Sequence, residues 1–139
     1  LAHLTDALTW QEASQMNYPQ LIDNSLSSTF QQMHSCSWNE TIQLSPTFSF
    51  KKRLQHFQQI NDTPSFNLIY FDAFGAQVQP ELWNEDIFKK MYNALKNNGI
   101  LVTYAAKGSV RRALVAAGFI VERLPGPPMK REMLRALKN

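Results

Sequence analysis

The segment NLIYFDAFGAQ, residues 67–77, decides the fold class of this protein. Its residues Leu68–Phe71 are apolar without interruption, which is typical of a strand buried on both faces of a sheet. We therefore predict a buried strand over Phe66–Phe71. The strand runs directly into a carboxylate, Asp72, and a loop over residues 73–82 follows.

Helical and strand-like segments alternate after this loop. Asn84 is a suitable N-cap for a helix, and apolar residues recur at helical spacing from Trp83 to Leu95. The sequence Asn97-Asn98-Gly99 is predicted to end that helix, with Gly99 as the left-handed residue. The later predicted elements are a strand over Ile100–Tyr104, a helix over Gly108–Ala117, a strand over Phe119–Leu124 and a last strand over Met129–Leu137.

This alternation predicts an α/β fold with a mostly parallel sheet. Strands joined by crossover helices run parallel, and helices cover such sheets on both faces. The last strand follows the short turn Pro125–Pro128, so we expect it to be antiparallel. Function gathers at the carboxyl ends of parallel strands, and Asp72, Lys107 and Gly108 all fall at that edge.

The region in front of the alternation, residues 1–48, is a weakly defined mixture of helix and loop. Thr9 and Glu12 match a helix capping box, and Pro19 should stop that helix near Tyr18. A short helix with a loop is expected over residues 20–38. We expect this region and the rest of the chain, residues 1–139, to form a single domain.

Two further elements are predicted before the buried strand. Residues Thr41–Leu44 alternate between polar and apolar side chains, which indicates a short strand. Apolar residues at helical spacing from Phe50 to Ile60, with Ser49 as a plausible N-cap, predict a helix.

The composition is that of an ordinary globular protein, with 44% hydrophobic and 18% charged residues. Neither a transmembrane segment nor a signal peptide is recognisable, and the single cysteine, Cys36, rules out an internal disulfide, so we expect a cytoplasmic protein. His3, His34 and His56 share no metal-binding spacing with Cys36, so we expect no metal site.

Positive charge is concentrated in residues 107–139. This segment holds eight Lys or Arg residues against Glu122 and Glu132, whereas the net charge of the whole chain is only +3. A basic segment on a chain of low net charge is typical of a site that binds a polyanion such as RNA. The same pattern is typical of an ordinary solvated surface. The charge pattern alone favours the solvated surface.

Asp72 is the strongest candidate for a functional group. A carboxylate at the end of a buried strand accepts hydrogen bonds from a ligand amine or hydroxyl, and it acts as a base where burial raises its pKa. It also serves as a simple helix cap or turn residue, and the pattern does not decide between these roles. The surrounding rings of Phe71, Phe74 and Trp83 would stack on a base or pack in the core.

Five linked motifs resemble one family of enzymes. They look like the carboxyl-terminal half of the S-adenosylmethionine-dependent methyltransferase domain of the tRNA 5-methylaminomethyl-2-thiouridine biosynthesis enzymes. The resemblance is strong over residues 66–137 and weak before them. The motifs are FDAF at 71–74, PELW at 80–83, NNGILVTY at 97–104, KGSVRRALVAAGF at 107–119 and GPPMKREML at 126–134.

The resemblance implies a function as well as a fold. It implies a Rossmann-like class I methyltransferase sheet, S-adenosylmethionine as cofactor, and methyl transfer to the aminomethyl group of uridine 34 in tRNA. In bifunctional members of the family the domain is fused to a flavin-dependent oxidase, so an oxidase domain or protein is an expected partner.

The resemblance also assigns site residues. Asp72 would be the catalytic acid beside the methyl donor and the substrate amine, and Ala73 and Phe74 would line the same cofactor pocket. Lys107 and Gly108 would border the substrate side. The residues implied to meet tRNA phosphates are Arg111, Arg112, Lys130 and Arg131.

The sequence departs from the family pattern at its amino-terminal side. The first strand with its glycine-rich loop and the acid on the second strand have no counterpart here, and Ser45-Pro46 stands where an acid usually follows the third strand. We therefore expect a partial sheet and weak or absent binding of S-adenosylmethionine by these residues. The alternative function is that of a non-catalytic, truncated relative that keeps the fold and a basic RNA-binding face.

The missing first strand predicts a bare sheet edge. In the usual strand order it would lie beside Phe66–Phe71, so its absence exposes that strand. We expect the edge to be covered by residues 1–40 or by a second chain, as in a homodimer.

Overall fold

The computed structural model describes residues 9–126 and 128–139, which fall in two compact units, Leu1–His56 and Phe57–Asn139. Residues 1–8 of the predicted amino-terminal region and Pro127 of the predicted turn lie outside the described residues. The elements of the first unit are α1 (Trp10–Ala13), α2 (Tyr18–Ile22), α3 (Ser27–Ser35), β1 (Thr41–Ser45) and β2 (Phe48–Lys51).

Helix α1 begins with the predicted capping box but ends earlier than expected. The Thr9 side chain accepts from the Glu12 backbone N–H, and the Glu12 carboxylate accepts from the Thr9 backbone N–H at 2.8 Å. The predicted end near Tyr18 is wrong because Pro19 lies in the first turn of α2. There its missing N–H breaks no helical hydrogen bond, so the proline starts a helix and does not stop one.

The helix predicted from Ser49 to Ile60 is wrong. The predicted strand at Thr41–Leu44 is present as β1, and residues 46–47 turn the chain back so that β2 pairs with it antiparallel. Ile42 lies opposite Phe50 in this hairpin. Backbone pairing across the turn overrides the helical spacing of the apolar residues. Within the segment predicted to be helical, only Phe57–Gln59 forms a helical turn.

The second unit is built on a four-stranded mixed sheet in the order β3-β4-β6-β5. Strands β3 and β4 are parallel, and β6 is antiparallel to both of its neighbours, so β4 and β5 run in the same direction. The predicted α/β class with an antiparallel last strand is confirmed. The elements are β3 (Phe66–Tyr70), α4 (Glu85–Ala94), β4 (Leu95–Thr103), α5 (Gly108–Ala116), β5 (Ile120–Pro125) and β6 (Glu132–Leu137).

Helix α4 starts as predicted and ends sooner than predicted. The Asn84 side chain accepts from the Ile87 backbone N–H at 3.0 Å. The expected end at residues 97–99 is wrong because Leu95 already pairs with Phe66 in the sheet. The left-handed residue is Asn98, with φ 62°, and Gly99 is needed for space, since a Cβ there would lie 2.7 Å from the Lys96 carbonyl oxygen.

Both helices of this unit pack on one face of the sheet. Their buried residues, which include Phe88 and Leu114, join the core with Leu101, Leu134 and Ala136. Gly118, with φ 106°, closes α5 as predicted. A helical layer on the other face, which was also expected, is not seen among residues 57–126 and 128–139.

Strand β3 is an edge strand and is not buried on both faces, contrary to prediction. Leu68 is 44% exposed and Tyr70 is 77% exposed, because both lie on the open face and no described strand pairs with the outer edge. Residues 9–40 contribute no strand to this sheet, and a covering second chain stays a prediction. No described helix is long and apolar enough to cross a membrane.

Candidate active site

The loop that follows β3 is fixed by three hydrogen bonds. The Phe71 backbone N–H donates to the Val102 carbonyl at 2.8 Å and extends the pairing of β3 with β4. The Tyr104 hydroxyl donates to the Ala73 carbonyl at 2.8 Å, and the Trp83 indole N–H donates to the Phe74 carbonyl at 2.7 Å. The backbone is therefore anchored immediately before and after Asp72.

Phe71 anchors the same loop from the core side. Its ring lies 5.1 Å from Trp83, 5.2 Å from Phe88 and 5.7 Å from Phe57, and only 4% of the residue is exposed. Phe71 and Trp83 thus pack in the core, which is one of the two roles that the sequence left open for them. Phe74, at 68% exposed, is available for contact.

The Asp72 side chain projects from this fixed loop into solvent. It is exposed and makes no hydrogen bond or ion pair with any residue of 9–126 or 128–139, whereas Ala73 beside it is buried. A carboxylate with all its lone pairs unused accepts hydrogen bonds from an incoming N–H or O–H donor. The arrangement thus offers an acceptor on a rigid support.

Asp72 lies on the wall of a cleft of about 530 Å³ at the carboxyl ends of β3 and β4. The wall is mostly apolar and includes the connection between β5 and β6. Gly126 in that connection has no room for a side chain, since a Cβ would collide with the Lys130 backbone. The lining residues are Tyr70, Phe71, Asp72, Val102, Thr103, Tyr104, Pro125, Gly126 and Met133.

Lys130 from the same connection reaches over this wall. Its ammonium nitrogen lies 3.9 Å from the centre of the Tyr104 ring, in a cation–π contact. The structure thus brings Lys130 next to the loop that carries Asp72, through Tyr104. Lys107 and Gly108, also predicted as site residues, follow β4 and open α5, and both are exposed.

The cations of residues 107–139 separate into two groups. Arg123 pairs with Glu132 at 3.3 Å, Arg135 pairs with Glu122 at 2.6 Å, and Lys138 is buried. The others are exposed and make no ion pair with a described residue, and they are the five cations that the sequence assigned to the substrate side: Lys107, Arg111, Arg112, Lys130 and Arg131.

The sequence did not point to Tyr104 or to Met133. Tyr104 is the last residue of a predicted buried strand, at the same edge of the sheet as Asp72, and that position was the signal that would have found it. Its hydrogen bond joins residues that are 31 positions apart, so spacing along the chain does not show it.

The cleft has room for S-adenosylmethionine, but its described residues fit only part of that molecule. Ribose hydroxyls, an adenine and an amino acid group need several polar partners, and Asp72 is the one charged residue in the lining. Thr103 is buried, and its hydroxyl oxygen already accepts from the Ala105 backbone N–H at 3.3 Å. The residues that line the cleft therefore supply few of those polar partners.

Comparison with known proteins gives consistent matches. The tRNA 5-methylaminomethyl-2-thiouridine biosynthesis bifunctional protein MnmC of Actinobacillus pleuropneumoniae serotype 5b is 36% identical over 87 residues, 61% of this chain and 13% of that protein. Its counterpart in Paracidovorax citrulli is 37% identical over 73 residues, 52% of this chain and 12% of that protein. The chain thus spans about an eighth of the length of these curated relatives.

A solved structure and a family profile extend these matches. The crystal structure of MnmC2 from Aquifex aeolicus has a TM-score of 0.50 at 26% identity, over 58% of this chain and 26% of that one. The profile of a family described as S-adenosyl-L-methionine-dependent methyltransferase matches residues 12–139. Because that match extends over most of its length, this chain belongs to the S-adenosyl-L-methionine-dependent methyltransferase family.

Proposed function

We propose that this chain supplies the substrate side of a tRNA methyltransferase site, which methylates the aminomethyl group of uridine 34. The observation that carries this proposal is the free carboxylate of Asp72 on a hydrogen-bonded loop at the mouth of a cleft. The names of the curated relatives, which refer to biosynthesis of 5-methylaminomethyl-2-thiouridine in tRNA, support the choice of substrate.

Asp72 acts on the amine in this proposal. An amine attacks through its nitrogen lone pair, so it must be neutral and correctly aimed. The carboxylate accepts a hydrogen bond from the amine N–H, which directs the lone pair away from Asp72. As the nitrogen forms its new bond to the methyl carbon, the bond from that carbon to the donor sulfur would break, and the sulfur would leave with the electron pair. The N–H proton passes to the Asp72 carboxylate, which acts as a general base.

The other assigned residues frame the substrate. Ala73 and Phe74 follow Asp72 in the same loop but are not in the cleft lining, and Lys107 and Gly108 border the entrance at the start of α5. Arg111, Arg112, Lys130 and Arg131 contact tRNA phosphates, because they are exposed cations without a protein counter-ion among the described residues. A tRNA substrate implies a cytoplasmic location.

S-adenosylmethionine supplies the methyl group to the whole protein, and we propose that further residues of the natural protein complete its binding site. The curated relatives are called bifunctional. We propose a flavin-dependent oxidase, fused or separate, as the partner that acts on the same modified uridine.

The test is Asp72→Asn in the full-length protein that contains this chain. The amide keeps the size of the side chain and removes its charge and its basicity, so turnover should fall at least about 100-fold. The affinity for tRNA should change less than about threefold, since phosphate contacts dominate it. Turnover is measured by transfer of a radioactive methyl group to tRNA, and affinity by filter binding.

Asp86→Asn is the matched control. Asp86 is an exposed aspartate in the first turn of α4, outside the cleft lining, and the same chemical change there should leave turnover unchanged. Equal losses of turnover and of tRNA affinity in Asp72→Asn would contradict a chemical role for Asp72.

A further inference from the structure

We infer that Tyr104 is a positioning residue, whose hydroxyl fixes the direction in which Asp72 presents its carboxylate. The inference rests on the function proposed above and adds a second residue to its site. Tyr104 touches the loop through a main-chain carbonyl and acts through Asp72. Nothing in its own chemistry is required to react.

The hydrogen bonds around Asp72 leave its backbone little freedom. Phe71 is tied to β4 through its N–H, and the Ala73 and Phe74 carbonyls are tied to Tyr104 and Trp83. Asp72 itself makes no such contact with a described residue, so the direction in which its side chain leaves the backbone is set by its neighbours. Of the three bonds, the one from Tyr104 is the nearest side-chain anchor to Asp72.

Tyr104 is itself held from two directions. Its ring meets the Trp83 ring edge-on at a centroid distance of 6.0 Å, and the Lys130 ammonium lies 3.9 Å from the ring centre. Both contacts involve the ring and leave the hydroxyl free to reach Ala73. The ring therefore stays in place without its hydroxyl, and Tyr104→Phe removes the anchor with little other change.

A purely structural role makes a different prediction. If the hydroxyl only satisfies the Ala73 carbonyl, its loss lowers the stability of the fold and affects all activities of the protein together. If it positions Asp72, its loss lowers kcat and leaves KM in place, and the loss depends on the presence of the carboxylate. Displacement of a reacting group by about 1 Å costs up to about 100-fold in rate.

The experiment compares Tyr104→Phe, Asp72→Asn and the double variant of the full-length protein, with Tyr92→Phe as the control. Tyr92 packs against Phe119, and its hydroxyl makes no hydrogen bond with a described residue. We expect Tyr104→Phe to lower kcat about tenfold at unchanged KM for tRNA. In the Asp72→Asn background the same substitution should have no further effect, and Tyr92→Phe should change neither constant.

A second readout does not depend on activity. The Phe71 amide, which donates to the Val102 carbonyl at the start of the loop, should exchange its hydrogen several-fold faster in Tyr104→Phe and at an unchanged rate in Tyr92→Phe. If the parent protein is inactive on tRNA, the proposed function fails, and the exchange rates still decide whether Tyr104 holds the loop. Unchanged exchange of the Phe71 amide would overturn the inference. So would a kcat loss that is equally large with and without the Asp72 carboxylate.

Discussion

Asp72 differs from four other acids of the second unit in what surrounds it. Glu122 and Glu132 are paired with arginines across β5 and β6, and Glu85 and Asp86 lie in the first turn of α4, where the helix dipole stabilises a negative charge. Asp72 has neither an ion pair nor a helix start. An acid kept on a fixed loop without a structural partner is a good candidate for a group that meets a ligand.

The pair Arg111 and Arg112 allows a test at the same scale. Replacing both by Gln should reduce the slope of log affinity for a tRNA transcript against log salt concentration by about 2, since each lost phosphate contact removes about one unit. The measurement is a titration at several salt concentrations. Arg123→Gln with Arg135→Gln is the matched control, because these arginines are engaged by Glu132 and Glu122.

An unchanged slope in the Arg111 and Arg112 variant would assign the pair to ordinary surface. The charge pattern alone could place these cations in one segment, but it could not separate them from Arg123 and Arg135, as the family resemblance did. The separation depends on which side chains lie opposite one another on β5 and β6, such as Glu122 and Arg135. Asp72 was predictable as the acid that ends a strand, whereas Tyr104 depends on a contact between distant parts of the chain.

At the scale of elements, the junction of α4 and β4 has an unusual support. Helix α4 leads into β4 without a loop, and the carbonyl groups at its end need donors. The Lys138 ammonium donates to the Tyr92 carbonyl at 2.9 Å and to the Leu95 carbonyl at 2.7 Å. A buried lysine thus caps a helix from the residue that follows the last strand.

Lys138→Met should destabilise the protein by about 1–3 kcal/mol, because it leaves these buried carbonyl groups without a donor. Lys96→Met is the control: Lys96 is exposed, its bond to Asn67 is 3.5 Å long, and the change should stay within about 0.5 kcal/mol. Urea denaturation followed by tryptophan fluorescence measures both. Equal stability of the two variants would mean that Lys138 does not cap the helix.

The sequence predicted best those elements whose apolar periodicity matches the residues that become buried in the core. Helices α4 and α5 carry apolar stripes that do become buried, for example Ile87 and Val110. The segment after Ser49 has a similar stripe, but its backbone pairs with β1. Periodicity shows which side chains share a face, but it does not show which strand the backbone pairs with. The local sequence could therefore not have corrected this prediction.

At the scale of the whole molecule, the sheet of the second unit has one face that no described helix covers. Both helices cover one face, and Leu68, Tyr70 and Ile120 remain exposed on the other. The cleft near the end of β3 has one charged residue, Asp72, in its lining. Both observations fit a chain that spans only part of its relatives.

Calorimetric titration of these 139 residues with S-adenosylmethionine should therefore show no binding tighter than about 100 μM, because the cleft lining offers one charged group. The same titration of the full-length protein is the control and should show tight binding. Low-micromolar affinity for the 139 residues alone would show that the described cleft suffices.

The central position of β6 has a consequence for synthesis on the ribosome. Strands β4 and β5 are joined by α5, yet they share no hydrogen bonds, since β6 lies between them. In a nascent chain that has emerged only as far as Pro125, β4 and β5 are present but β6, which lies between them in the sheet, is not. Closure of the sheet must wait until Leu137 has left the exit tunnel, and until then the unit exposes its strand edges to chaperones.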